Sequence, residues 1–162
     1  MIFFRIDVGH KHGLGHYYRI KSLIKYLNLK QYKIIIDNLS NSSFLLKENK
    51  NIISLYKEKN FFKNELEDAN LFLKLIKNKS PVVIKDSYRL GYKWEKYIYK
   101  YCKKVISIDD LIEKKNFVDV YINHGPCFST NNDKLLKKIK LNNKKKCIFL
   151  LGPNYALFNS SY

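Results

Sequence analysis

Short apolar runs alternate along this chain with stripes of helical period, and that alternation restricts the fold to a parallel sheet covered by helices. Ile2 to Ile6 predicts a first strand. After a glycine-containing loop, Ile20, Leu23, Ile24 and Leu27 recur at i, i+3, i+4 and i+7, the spacing of one helix face. Tyr32 to Ile36 supplies a second strand and Asn51 to Leu55 a short third. Leu66, Ala69, Leu73 and Ile76 form the next helical stripe, ahead of a buried strand from Pro81 to Ile84. Trp94, Tyr97, Ile98 and Tyr101 make another helix face. Lys104 to Ile108, Val118 to Ile122 and Lys146 to Leu151 read as further strands, and the basic, Asn-rich stretch Lys137 to Lys146 as a helix end and turn. The fold class expected is α/β: a single Rossmann-like domain over residues 1–162, with helices on both faces of a parallel sheet. Ligands of such sheets collect at the carboxyl ends of the strands, so the residues there are the candidates for function.

A chain of 162 residues, 46% hydrophobic and 15% aromatic, can bury a real core and is not of disordered composition. Its longest apolar run, Cys147 to Leu151, falls far short of the roughly 20 residues that cross a bilayer. The start has no charged leader, long apolar stretch or small-residue cleavage site. A cytoplasmic protein with no membrane partner is expected. The net charge of +17 raises nucleic acid as a partner. Against it, Arg5, Arg19 and Arg89 are the only arginines, and lysine suits a solvated surface better than bidentate phosphate recognition. The wealth of Lys, Asn, Ile, Tyr and Phe also matches AT-rich codon usage. No specific nucleic-acid partner is expected, only weak, salt-sensitive adhesion to polyanions. Cys102, Cys127 and Cys147 are odd in number, widely spaced and without a C-x-x-C pair, which favours buried free thiols over disulfides or zinc.

The most informative segment runs from Arg5 to Arg19. A strand delivers the chain through Asp7 into a turn holding Gly9, Gly13 and Gly15, and a helix begins at or near His16. Gly13 and Gly15 allow close backbone approach to a ligand and positive φ. A helix start offers free N–H groups and a positive dipole end to anionic oxygens. The pattern is not the dinucleotide G-x-G-x-x-G, because Arg19 holds the third-glycine position. His16 reads either as a capping or packing histidine or as a base. His10, His12 and His16 are close in sequence, but strung through a glycine loop they match no usual zinc spacing, and no metal is expected.

Several segments together resemble the pseudaminic-acid-pathway UDP-sugar hydrolases and their spore-coat polysaccharide relatives. They are Arg5-x-Asp7 with Gly13-x-Gly15-His16 and Arg19; Val82 to Asp86 followed by Ser87 and Tyr88; Val105 to Asp110; Asp119 to Asn123; and Leu151 to Leu157. Their order from Met1 to Leu157 is more specific than any one of them. The resemblance implies the N-terminal half of a two-domain, B-type glycosyltransferase architecture. It implies removal of UDP from a diacetamido-trideoxy-altropyranose nucleotide sugar, without a cofactor. His16 corresponds to the histidine that activates water, and Tyr88 to an active-site tyrosine. Asp7, Gly13, Gly15, Arg19, Asp86 and Tyr88 are the expected substrate-binding residues, Asp7 orienting either His16 or the sugar.

The chemistry suits these residue types. Hydrolysis at an anomeric carbon needs a base to deprotonate water, and the positive end of a helix dipole favours a neutral imidazole. UDP leaves readily, so no general acid is strictly required. Asp86, Asp109 and Asp110 read alternatively as caps of helices that follow their strands; that reading is favoured for Asp109 and left open for Asp86. The chain departs from the family at Val8, Gly9 and His10, and at Phe158-Asn159 where an arginine is usual. The end so soon after a strand predicts one module of something larger, with a separately encoded C-terminal nucleotide-binding domain as partner. Two alternatives stand beside the hydrolase: a non-catalytic sugar- or nucleotide-binding remnant, and a related glycosyltransferase half.

Overall fold

Side chains alternate across a strand, so Phe3 goes to one side of the first strand while Phe4 and Ile6 go to the other, and all three are buried. Two faces therefore need covering, and the chain covers both. The computed structural model describes residues 1–9, 12–37, 43–56, 62–76, 80–111, 115–125, 140–141 and 147–157. Its elements are β1 (Ile2–Ile6), α1 (Gly15–Tyr26), β2 (Tyr32–Ile36), α2 (Ser43–Glu48), β3 (Ile52–Ser54), α3 (Glu65–Leu75) and β4 (Val82–Asp86). There follow α4 (Tyr92–Tyr99), β5 (Lys104–Ile108), β6 (Lys115–Asn116), β7 (Val120–Asn123), β8 (Lys140–Leu141), β9 (Ile148–Leu151) and a 3-10 turn at Pro153–Tyr155.

Seven strands form one sheet in the order β3-β2-β1-β4-β5-β7-β9, with every neighbouring pair parallel. This is the doubly wound, Rossmann-like arrangement that the alternation of elements predicts. The winding reverses between β1 and β4, which pair from Ile2 with Val82 to Ile6 with Asp86. Helices α3 and α4 cover one face, where Ala69, Phe72, Trp94 and Ile98 pack on Phe3, Ile35, Val83 and Val105. Helices α1 and α2 cover the other, where Tyr17, Ile20 and Leu45 pack on Phe4, Ile6, Ile34, Ile36 and Ile84. Each fully buried Ile, Leu, Val or Phe among them contributes roughly 1.5–3 kcal/mol of transfer free energy.

Two local expectations change. Lys140–Leu141 is a strand paired with Lys115–Asn116, not a helix end; the rest of the 137–146 stretch lies outside the described residues, apart from those two. Cys102 and Cys147 are free but only half-buried, and burial lifts their thiols to about 12 and about 11. Cys127 lies outside the described residues. Among the described residues no helix is long and apolar enough to cross a membrane.

Candidate functional site

The point where a doubly wound sheet reverses leaves a crevice, because the loops after the two central strands turn to opposite faces. Here those strands are β1 and β4, and the polar residues at their carboxyl ends are buried. The loop after β1 closes on itself: Gly13 N donates to Gly9 O at 2.7 Å and His12 N to the same oxygen at 3.0 Å. This turn requires positive φ at Gly9 (134°) and Gly13 (68°). Gly15 instead opens α1, and a side chain there would meet nothing within 4 Å. Among the described residues the N-cap position of α1, Leu14, makes no side-chain cap and the first turn holds no acidic residue, an arrangement that suits an anionic oxygen.

His16 follows Gly15 and is only 3% exposed. Its Nδ1 lies 2.7 Å from Asp86 Oδ1, at the end of β4. Arg19, one turn along α1, donates to the same carboxylate from Nε (2.9 Å, to Oδ2) and from Nη2 (3.0 Å, to Oδ1). Its Nη2 also stands 3.2 Å from His16 Nδ1. A guanidinium only donates, so the shorter contact to the carboxylate sets the ring: Nδ1 carries the hydrogen toward Asp86, and Nε2 carries the lone pair. Nε2 has no hydrogen bond among the described residues. The Tyr88 ring stands edge-on to the imidazole at 4.7 Å and is itself 40% exposed. Burial, then the nearby Asp110 charge, raises the Tyr88 phenol, which keeps its proton.

Asp7 and Asp86 divide the work differently from the sequence expectation. The carboxylate beside His16 is Asp86. Asp7 Oδ2 accepts from Ser87 Oγ (2.8 Å) and Tyr88 N (3.0 Å), and Oδ1 from Arg89 Nη2 (2.6 Å). Asp7 thus fixes the loop that presents Tyr88. Burial pushes its carboxyl up, but the Arg89 hydrogen bond and the Arg5 and Arg89 charges outweigh this and hold it at about 2. Asp86 caps no helix. Asp109 accepts from Leu111 N and Tyr121 OH, each at 3.0 Å, and so ties its loop to β7. Asp110 accepts from Arg19 Nη1 at 2.7 Å.

Sequence reasoning assigned no site role to Asp37, Asp68, Arg89 or His124, and read Asp110 as part of a strand-end motif or a helix cap, not as the partner of Arg19. Arg5 is fully buried, donating to Asp68 from Nε (3.2 Å) and Nη2 (2.6 Å) and also pairing with Asp37, which Arg89 reaches in turn. Trp94 Nε1 and Tyr56 OH complete the bonding of Asp68 at 2.8 and 3.1 Å. One signal was present: all three arginines of a lysine-dominated chain lie in these clusters. Arginine is the cation suited to buried, bidentate carboxylate pairing, so its scarcity marked the positions. His10 lies outside the described residues, and among the described ones no cluster of His, Cys, Asp and Glu could hold a metal ion.

No protein-family model and no curated protein matches this chain. The site must therefore be judged on its own geometry. That geometry provides an oriented imidazole at a strand-end crevice, an aromatic wall and an uncapped helix start, which together suit proton abstraction beside an anionic ligand.

Proposed function

We propose that this chain is the base-bearing half of a nucleotide-sugar hydrolase, releasing UDP from a diacetamido-trideoxy-altropyranose as the sequence resemblance implies. The observation that carries the reading is the His16–Asp86 contact at the reversal point of the sheet. Asp86 holds the Nδ1–H tautomer, as the buried aspartate of a catalytic triad does, and so leaves Nε2 as the base. Nε2 takes a proton from water while the water oxygen attacks the anomeric carbon. The electron pair of the breaking C–O bond leaves with the diphosphate. Tyr88, half-exposed against the imidazole, offers a phenol and an aromatic face to the sugar. The uncapped start of α1 suits a phosphate oxygen.

The test is UDP release from the altropyranose nucleotide sugar, by the chain alone and with a candidate nucleotide-binding half. His16→Ala is expected to lower release by about 10³-fold, within the range for general-base loss. In heavy-oxygen water the label should enter the sugar and not UDP. Release unaffected by His16→Ala removes the base assignment, and release only in the presence of an alcohol acceptor makes the chain a transferase half.

A further inference from the structure

Two donors crowd one carboxylate oxygen beside the first turns of α1. Asp86 Oδ1 takes His16 Nδ1 at 2.7 Å and Arg19 Nη2 at 3.0 Å, and the two nitrogens stand 3.2 Å from each other. Arg19 is held there by its other nitrogens: Nε donates to Asp86 Oδ2 at 2.9 Å and Nη1 to Asp110 Oδ2 at 2.7 Å. All three guanidinium nitrogens therefore face carboxylates, and the side chain is 12% exposed. Burial works against its charge, but Asp86 and Asp110 outweigh burial and raise the guanidinium above its ordinary value, so Arg19 stays a cation. The charged and titratable groups around the imidazole are Asp86 and Tyr88, from β4 and the loop after it, and Arg19 from α1. One contact further lie Asp110, past the end of β5, which Arg19 and the Tyr88 hydroxyl both reach; His124 beyond it; and Asp7 from the β1 end, which holds Tyr88 N.

Resting on the hydrolase reading above, we propose that Arg19 is a positioning residue whose cation keeps the His16 imidazole free of a second proton until water supplies one. Two arguments carry it, the first electrostatic. An aspartate alone beside an imidazole favours the imidazolium, which has lost the lone pair that a base needs. Arg19 draws the Asp86 charge into a bidentate pair and sets a fixed cation beside the ring, so a proton arriving at Nε2 meets a repulsion that the carboxylate alone would not give. The second argument is geometric. Nδ1–H and the Nη2 hydrogens are all donors, so their close approach holds only because Asp86 Oδ1 accepts from both. Asp110 fixes the other end of the guanidinium and tempers its charge, so the field at the ring is set by a chain of three: Asp110, Arg19 and Asp86. That chain governs the pH at which His16 can take the proton from water. The bonds made and broken stay as described above: the water oxygen joins the anomeric carbon, and the C–O pair leaves with the diphosphate.

The experiment follows the His16 ring of the full chain by NMR titration, its signal assigned by its loss in His16→Ala. In parallel it records the pH–rate profile of UDP release, with the partner half if that is required. Arg19→Gln is expected to raise the His16 midpoint and the acid limb of the profile together by about one to two pH units. Release on that limb then falls about ten- to a hundredfold while the alkaline plateau is kept. Arg19→Lys, which keeps the cation without the fork, should restore most of the native midpoint. Asp110→Asn should move the midpoint the other way, downward and by less. Opposite shifts from two neighbouring substitutions cannot come from loosened packing, and Asp110→Asn decides the matter alone where Arg19→Gln does not fold. A midpoint that stays in place, or moves the same way in both variants, overturns the role given to Arg19, as do equal losses of release at every pH. Midpoints that shift as expected in a protein that releases no UDP overturn the hydrolase reading instead, so the two failures are told apart.

Discussion

His16 and Arg19 share the Asp86 carboxylate, and that sharing makes Asp86 the residue whose charge matters most to the base. An amide in its place can present N–H to Nδ1 and so reverse the imidazole tautomer. Asp86→Asn is therefore expected to cut single-turnover UDP release by about 10³-fold or more, with unchanged nucleotide-sugar affinity. Asp7 has a different consequence, seen in stability. Its folded carboxyl lies at about 2 against an ordinary 3.8. Its contribution is complete above the ordinary value and is lost as pH falls from about 4 toward 2, of the order of 2 kcal/mol in all. Urea titrations across that range should show the loss in the native protein and not in Asp7→Asn, which starts out less stable at neutral pH. Little of this was legible from residues alone. The Arg5-x-Asp7 and His16 segment stands out in the sequence, but the partners of Asp7 come from residues 87–89 and that of His16 from residue 86, a juxtaposition that only the β1–β4 pairing creates.

At the level of elements, α3 and α4 are tied by a carboxylate that belongs to one and caps the other. Glu65, in the first turn of α3, accepts from Gly91 N at 3.0 Å and Trp94 N at 2.9 Å, while α4 has no capping side chain of its own. Glu65→Ala should cost about 1–2 kcal/mol, read as a lower urea midpoint with an unchanged slope. Strands that close on an apolar residue were readable to the residue in three cases, β1, β2 and β5, each of which ends on isoleucine. β4 was not: apolarity ends at Ile84, yet the strand continues through Lys85 and Asp86. Both are buried because each meets an opposite charge from elsewhere, Lys85 with Glu95 at 2.7 Å and Asp86 with Arg19. Hydrophobic period cannot register an ion pair. Helix α2 and the two-residue strands β6 and β8 escaped for a simpler reason, being too short for any period to show.

For the whole molecule, the charge of +17 and the crevice point in opposite directions. Asp7, Asp37, Asp68, Asp86 and Asp110 outnumber Arg5, Arg19 and Arg89 around the strand ends, so the excess positive charge of the chain lies outside this cluster. Retention on heparin should collapse between about 50 and 200 mM salt and be the same for His16→Ala as for the native protein. The strand order has a last consequence, for the birth of the chain. β1 leaves the ribosome ahead of the other strands of this sheet, yet one of its two neighbours, β4, exists only once synthesis has reached Asp86. Until then an apolar strand with an open flank must wait, in reach of any other nascent chain. The demand this sheet makes on chaperones is therefore set by translation speed across its first half.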